Sequence, residues 1–314
     1  MGQPAVGQIS ASWRVPTVLA SSRPGYASTW IGVQNETTGS PFIQLGTIEN
    51  KIGPGKTSYE AFWSDVTVGF RPQFFAAVDP GELVAAQMVR SATGWTLRMD
   101  VGKRNKPTTK IVSYAVGKSF TQAEWLQEDP APSSVTAVDE PYPQLSRVVF
   151  SNLKVNEKQP HLTRSDGVTL TAQGGTYLVP TAVSNDSFSL VAPTGQAKTY
   201  LVLAGRLDHA ASVYDVQLAK WNTLTEPARR AAAHDLALAF GANAAQFTSH
   251  SWPQKSRHLV ALLVQQLRQL VADIHQWSAA GLSLSGPAYQ KLSGDEDVTP
   301  VADRLRNSLG LPPP

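Results

Sequence analysis

The sequence predicts a mainly β protein, an antiparallel two-sheet β-sandwich with an α-helical region appended at its C-terminal end. Apolar and polar residues alternate from Gln8 to about Val191, turn-forming residues separate the alternating runs, and the apolar spacing changes to three and four after Val191. Many short strands joined by tight turns are typical of sandwiches. We therefore expect a β-sandwich domain over residues 1–196 and a helical domain over 197–314.

The period of two is the signal for each strand, because side chains two positions apart share one strand face. Three apolar faces carry it most clearly: Ile9, Ala11, Trp13 and Val15; Leu97, Met99 and Val101; and Val112, Tyr114 and Val116. Glycine and proline mark turns between the runs, as in Gly53-Pro54-Gly55 and Asp79-Pro80-Gly81. Residues 103–106, Lys-Arg-Asn-Lys, are expected to form a hairpin tip.

The C-terminal third has the apolar spacing of helices. A first helix is predicted from a single apolar stripe, formed by Tyr200, Leu203, Leu207, Ala211, Tyr214, Leu218 and Trp221. A second helix is expected to begin after Thr225 as N-cap and to end near Phe240-Gly241, where glycine suits a helix terminus. A third follows a capping box at Ser251–Gln254, and a fourth fits Thr299 to Leu309. Together these helices predict a small bundle or a helical layer.

The residue inventory limits the chemistry. The chain has no cysteine, and the first of its six histidines is His161. A cysteine nucleophile and a disulfide scaffold are excluded, and before His161 neither a Ser-His-Asp relay nor a His-ligated zinc site can be assembled. Chemistry in the first half of the chain must therefore use carboxylates, amides, hydroxyls or lysines.

Charge and hydropathy argue against two kinds of partner. The formal net charge is only +3, so nucleic acid is not expected as a partner. A membrane partner is not expected either, because the sequence has no run of about 18 apolar residues. The sequence leaves the oligomeric state open.

Five motifs stand in order within the β half of the chain. They are Ser12-Trp13-Arg14-Val15-Pro16, Trp30-Ile31-Gly32-Val33, Ile43-Gln44-Leu45-Gly46, Tyr59-Glu60-Ala61-Phe62-Trp63 and Ala123-Glu124-Trp125-Leu126. The ordered set resembles the glutamic peptidases of the eqolisin family, the scytalidoglutamic and aspergilloglutamic type and their bacterial relatives. The resemblance covers roughly Gln8 to Asn152.

This resemblance implies a concanavalin-like sandwich whose cleft holds a catalytic glutamine and glutamate, here Gln44 and Glu124. It also implies that Trp30 and Tyr59 line the cleft and contact substrate. From the residues alone, Trp30 and Trp63 are each divided between core and cleft, and we include both among the expected substrate-binding residues. The substrates implied are polypeptides, the pH optimum is acidic, and neither a cofactor nor a metal is expected. We further expect a secreted, extracellular protein, although this chain carries no signal peptide.

The two residue types suit amide hydrolysis. Cleavage needs an activated water, stabilisation of the oxyanion and a proton for the leaving amine. Glu124 would take a proton from water and return it to the amine nitrogen. The side-chain NH2 of Gln44 would donate to the oxyanion without adding a competing charge.

Two departures from the family pattern are expected to alter the surroundings of this pair. Gln34 and Asn35 stand where an acidic residue and a glycine are usual, and Ser64 replaces a glutamate. Asp65 comes one position too late to substitute, since one residue reverses the strand face. Glu128, beside a Pro-rich turn, is interpreted as a solvated strand end.

A binding function is the alternative. Sandwiches also bind peptides or carbohydrates without catalysis, and a fold does not fix a function. Trp125 alternates with Glu124 along the strand and is expected in the core.

Overall fold

The structure is a computed structural model of the chain. It describes residues 5–35, 41–102, 107–130, 142–163, 166–172, 176–184, 186–295 and 297–312. The predicted hairpin tip at 103–106 lies outside the described residues. The chain divides into two compact units, Met1–Ala192 and Pro193–Pro314.

The first unit is built from strands. In its described residues they are β1 (Gln8–Arg14), β2 (Ser28–Gln34), β3 (Phe42–Gly53), β4 (Lys56–Asp65), β5 (Gln73–Ala77), β6 (Leu83–Ser91), β7 (Gly94–Val101), β8 (Thr108–Val112), β9 (Gln122–Glu128), β10 (Val148–Val155), β11 (Leu170–Ala172), β12 (Thr176–Pro180) and β13 (Phe188–Val191). The predicted period of two thus corresponds to real strands.

These strands form two antiparallel sheets. Among the described residues, the larger sheet has the order β11-β12-β13-β10-β1-β6-β7-β8, and the smaller sheet has the order β5-β4-β3-β2-β9. One continuous hydrophobic core contains buried residues from both sheets, including Trp13 and Met88 of the larger and Ile31, Ile43 and Trp125 of the smaller. The predicted mainly β fold class with antiparallel sheets and C-terminal helices is confirmed, and Trp125 is in the core as expected.

Two indole hydrogen bonds connect the sheets through this core. Trp13 Nε1 of β1 donates to Thr47 Oγ1 of β3 over 3.0 Å. Trp125 Nε1 of β9 donates to the backbone oxygen of Ser10 over 3.1 Å. Buried tryptophans need a partner for the ring N–H. These bonds satisfy that need and fix one face of the smaller sheet toward the core.

The second unit is helical. Its described residues contain α1 (Gly195–Leu218), α2 (Glu226–Ser249), α3 (Arg257–Ala279), α4 (Pro287–Asp295) and α5 (Thr299–Leu309). In the part of the chain that the structure describes, none of the helices combines the length and apolarity that spanning a membrane requires.

Three of the predicted helix ends are right, the N-cap at Thr225 and both ends of the last helix at Thr299 and Leu309, and two are wrong. The hydroxyl of Thr225 accepts from the backbone N–H of Ala228, as an N-cap should. However, α2 does not end at Gly241, because it continues to Ser249. The capping box at Ser251–Gln254 precedes a short 3₁₀ turn, and α3 begins only at Arg257. A glycine within a helix costs about 1 kcal/mol, which the packing of a long helix offsets.

The core of the second unit is aromatic. Trp221 stacks on Trp277, with ring centroids 5.0 Å apart, and Tyr214 meets both rings edge-on. Trp221 Nε1 donates to the backbone oxygen of Leu282. Tyr214 of the apolar stripe predicted for the first helix is therefore in this core, together with Trp277 of α3. Trp221, predicted on the same helix, lies in a 3₁₀ turn beyond the end of α1.

Candidate active site

Strand β2 lies between the two strands that carry the predicted catalytic residues. Gly32 of β2 is paired with Gln44 of β3 on one side and with Glu124 of β9 on the other. Directly opposed residues of antiparallel strands project to the same face. The structure therefore places Gln44 and Glu124 on one face of the smaller sheet, in one row. We call this the dyad face, and the opposite one the core face.

The spacing of this row follows from sheet geometry. Two strand spacings separate the Cα atoms of Gln44 and Glu124, which is about 9.6 Å. The residue between them, Gly32, contributes no side chain. The gap above Gly32 is therefore bounded by an amide on one side and a carboxyl on the other.

Trp30 lies on the dyad face and partly fills this gap. A Cβ atom on Gly32 would lie 2.6 Å from Cζ3 and 3.1 Å from Cε3 of Trp30, so the indole lies over the place of the missing side chain. A Cβ on Gly46 would also collide with Trp30, at 2.4 Å from its Cβ. Gly32 is needed because the indole ring lies over it, and Gly46 because the backbone and Cβ of Trp30 approach it closely. Of the expected substrate-binding residues, Trp30 is the one that lies with the dyad.

Glu124 is half-buried and has one direct polar neighbour from β2. The Gln34 side-chain amide donates a hydrogen bond to Glu124 Oε1. Burial raises the pKa of Glu124 above its ordinary value, the hydrogen bond from Gln34 opposes the rise, and the negative charge of Glu128 adds to it. Gln34, the first departure from the family pattern, thus contacts the Glu124 carboxyl directly. The sequence alone indicated only that it lies near the pair.

Glu128 is not the solvated strand end that the sequence suggested. It lies on the dyad face, half-buried, with Oε2 accepting from Trp30 Nε1 over 2.8 Å and from the Ser28 hydroxyl over 3.3 Å. Burial raises the pKa of Glu128, while these two hydrogen bonds lower it. The interpretation was wrong because the alternation from Glu124 brings Glu128 inward beside an indole.

Gln44 and Ser64 are cross-strand neighbours on the dyad face. Gln44 is 7% exposed and Ser64 is 0% exposed. Neither Gln44 Oε1 nor Ser64 Oγ has a hydrogen-bond partner among the described residues. The second departure from the family pattern therefore leaves two buried oxygens side by side without partners, next to the predicted oxyanion donor.

Tyr59 and Trp63 are not brought together with the dyad, contrary to the expectation for both. Tyr59 pairs with Glu49 and Trp63 with Leu45, so both project to the core face, where they pack against the inter-sheet core. The Tyr59 hydroxyl accepts from the backbone N–H of Val18. The register between β3 and β4 changes by one residue between Lys51 and Gly53. A one-residue change reverses which side chains of β4 share a face with Gln44, and here Tyr59 and Trp63 are on the opposite face.

Asp65 also projects to the core face, as its position predicts. It pairs with Ile43 and is fully buried, and Asp65 Oδ1 accepts from the backbone N–H groups of Thr67 and Val68. It caps the 3₁₀ turn that follows β4. It therefore does not replace the glutamate missing at Ser64.

The core face carries a second carboxyl at Glu49. This side chain is 0% exposed, and it accepts from Thr29 Oγ1 over 3.0 Å and from Thr47 Oγ1 over 2.6 Å. Burial raises the pKa of Glu49 from 4.5 to about 8, against the opposing hydrogen bonds from Thr47, Thr29 and Gln127. The sequence analysis did not single out Glu49, although a glutamate on an apolar strand face was the available signal.

Metal ligands are not gathered in the described parts of either unit. Within the residues that the structure describes, no group of three or more His, Cys, Asp or Glu side chains is placed to hold a metal ion.

Comparison with known proteins identifies the family. The family described as the Peptidase A4 family, the eqolisins, matches residues 2–192. The chain belongs to this family. The match spans the whole first unit and ends where the helical unit begins.

Solved structures of two glutamic peptidases are similar to this chain. Scytalido-glutamic peptidase with a transition state analog inhibitor is 18% identical, with a TM-score of 0.47 over 62% of this chain and 95% of that chain. SCP-B, an eqolisin in complex with the tripeptide Ala-Ile-His, is 16% identical, with a TM-score of 0.45 over the same two shares. No curated protein sequence matches the chain significantly.

Family membership fixes the enzyme class. This eqolisin is a hydrolase of the glutamic endopeptidase class, and its substrates are polypeptides. The structure places the predicted residues Gln44, Glu124 and Trp30 on one face. The direct contacts that Gln34 and Glu128 make on this face were not predicted. Strand alternation could have placed both on this face, because Gln34 is two residues from Gly32 on β2 and Glu128 is four residues from Glu124 on β9.

Proposed function

We propose that this peptidase cleaves peptide bonds in acidic solution with Gln44 and Glu124 as its catalytic pair. The single observation that carries the proposal is their shared register opposite Gly32, which sets an amide and a titrating carboxyl on one face with a glycine between their strands. The Gln44 and Glu124 roles stated below extend beyond family membership. They depend on this geometry and on the chemistry of the two groups.

Glu124 is the proton carrier in this proposal. In its ionised form it removes a proton from water as the water attacks the peptide carbonyl. It then returns that proton to the departing amine nitrogen. Burial, which raises its pKa above 4.5, favours both steps in weakly acidic solution, because a base and its conjugate acid must both be accessible.

Gln44 stabilises the charge that develops on the carbonyl oxygen. Its side-chain amide donates through Nε2 and remains neutral, so Glu124 titrates without a second catalytic carboxyl in contact. The amide is buried, and buried donors stabilise an oxyanion more than donors in water do. The free acceptor at Oε1 is available to a water or to the substrate N–H.

Gln44→Ala tests the proposal directly. Denatured casein and a peptide library are incubated with each protein from acidic to neutral pH. We expect kcat to fall roughly 100- to 1000-fold with a small change in KM, since the donor acts on the transition state. Glu60→Gln is the control, because Glu60 is a half-buried carboxylate on the same face but lies four residues along β4 from Ser64, the neighbour of Gln44.

Two results would contradict the proposal. One is full activity of Gln44→Ala. The other is a wild-type protein that binds peptides but cleaves none at any pH, which would favour a non-catalytic binding module. The extracellular location and the absence of nucleic-acid and membrane partners stay predictions from the sequence.

A further inference from the structure

The Trp30 indole contacts both the gap between Gln44 and Glu124 and the carboxylate of Glu128. One edge of the indole, at Cζ3 and Cε3, lies over Gly32. The opposite edge carries Nε1, which donates to Glu128 Oε2 over 2.8 Å. A rigid ring held at one edge has its other edge fixed as well. The position of the ring over Gly32 is therefore tied to Glu128.

Further contacts on the dyad face restrain the same ring and its partner. The Ser28 hydroxyl donates to the same Glu128 oxygen, which holds the carboxylate toward β2. Phe42 meets the indole edge-on, with centroids 5.7 Å apart. The backbone and Cβ of Trp30 lie against Gly46. The indole N–H is the polar contact that sets the tilt of the ring.

We propose that Glu128 is a positioning residue of the active site, which holds the Trp30 indole over Gly32 and so shapes the space where the scissile peptide lies between Gln44 and Glu124. This inference rests on the proposed function of that pair. Glu128 acts through Trp30 and not on the reacting atoms. Four residues along β9 place its Cα about 13 Å from that of Glu124.

The electrostatic surroundings make Glu128 the principal charged neighbour of Glu124 on this face. The other charged side chains on the dyad-face positions of the strands are Glu60 and Lys56 of β4. Glu60 is in the row of Glu128 but three strands farther across the sheet, so it is roughly 19 Å from Glu124, beyond the Debye length of about 8 to 10 Å and farther away than Glu128. The charge of Glu128 also raises the pKa of Glu124. Loss of that charge should move the acid limb of the pH profile to lower pH.

Two substitutions separate the hydrogen-bond acceptor from the charge. Glu128→Gln keeps an oxygen that can accept from the indole and removes the charge, whereas Glu128→Ala removes both. We expect Glu128→Ala to lower kcat roughly 10- to 100-fold with KM within about twofold, because misplacement near the reacting groups affects turnover. Glu128→Gln should keep kcat within about threefold, with its acid limb shifted to lower pH.

Trp30→Phe tests the same link from the other side. It removes the donor and keeps an aromatic ring, so it should lower kcat as Glu128→Ala does. Adding Glu128→Ala to Trp30→Phe should cause little further loss, because the two side chains act through one contact. If Glu128→Ala does not fold, Trp30→Phe by itself still tests the link, and wild-type kcat in Trp30→Phe would overturn the inference. Glu60→Gln is again the matched control and should keep wild-type kinetics.

The inference is overturned if Glu128→Ala retains wild-type kcat, if Glu128→Gln is as impaired as Glu128→Ala, or if the Trp30 and Glu128 losses multiply. A wild-type protein without activity would instead defeat the proposed function. In that case the indole N–H signal of Trp30, assigned in NMR spectra by its loss in Trp30→Phe, decides the positioning. We expect it to exchange with solvent at least about tenfold faster in Glu128→Ala. An equal exchange rate would overturn the inference.

Discussion

The two faces of the smaller sheet each carry a glutamate with a raised pKa, Glu49 enclosed in the core and Glu124 in one row with Gln44. On the core face, Glu49 is fully buried and its oxygens are bonded to Thr29 and Thr47. On the dyad face, Glu124 is half-buried and is bonded to Gln34 beside the gap over Gly32 that the Trp30 indole partly fills. Burial raises the pKa of both carboxyls. The difference teaches that a raised pKa identifies a reactive group only where substrate can reach it.

The core-face network is consistent with a protonated Glu49. Thr29 Oγ1 lies 3.0 Å from Glu49 Oε2 and 2.6 Å from Gln127 Oε1. A hydroxyl carries one proton and can donate to only one of these oxygens. A proton on Glu49 supplies the second donor. This arrangement is consistent with a Glu49 that stays protonated up to about its pKa of 8.

Glu124→Gln should produce the largest effect and separate the two faces most clearly. We expect kcat to fall at least about 100-fold, because general acid-base catalysis contributes roughly that much or more. The unfolding midpoint should change little, since the side chain keeps its shape. Steady-state kinetics on a peptide substrate and thermal unfolding measure the two quantities. Equal activity of Glu124→Gln and wild type would remove the distinction between the faces.

The same substitution on the core face, Glu49→Gln, should leave kcat unchanged and alter the pH dependence of stability. The pKa of Glu49 is raised in the folded state from 4.5 to about 8. Its stabilising effect is therefore complete below pH 4.5 and is lost as the pH rises toward 8. The free energy of unfolding should fall by roughly 1.4 kcal/mol per pH unit across that window.

Unfolding experiments at several pH values between 4.5 and 8 check this expectation. Glu49→Gln should flatten the decline that the wild-type protein shows, and Glu60→Gln should not. A wild-type protein equally stable at both ends of the window would contradict a buried, protonated Glu49.

The smallest expected effects come from two hydroxyls on opposite faces. Ser64 Oγ is buried without a partner among the described residues, so Ser64→Ala should raise the free energy of unfolding by about 1 kcal/mol. Thr47 accepts from Trp13 and donates to Glu49, so Thr47→Ala should lower it by roughly 1 to 3 kcal/mol. Denaturant unfolding of both variants measures the contrast. Destabilisation of both to the same extent would mean that Ser64 has a partner.

Much of the fold was predictable because its signals are local. The period of two identified strands and placed Trp125 opposite Glu124, and the period of three to four identified the helical unit. The position of Asp65 relative to Ser64 was also predictable, because alternation within one strand has no exceptions without a bulge. The end of α2 was not, because packing carried the helix through Gly241.

The site was predictable in part. Tyr59 and Trp63 belong to the expected strand, but its pairing with β3 turned them to the core face. Glu128 lies on the face of Glu124 because it is four residues farther along the same strand. Its partner, the Trp30 indole, comes from β2, which is distant in sequence. Motifs name residues, whereas cross-strand register decides which of them meet.

The sequence by itself determined the strands, the helical region and the two residue types available for catalysis, because propensity, alternation and the lack of cysteine act through local chemistry. Tertiary structure alone decided that β2 lies between β3 and β9, so that Gly32 separates Gln44 from Glu124 and the Trp30 indole lies between them. Strand order depends on contacts between distant segments, and burial within the resulting sheets raises the pKa values of Glu49 and Glu124.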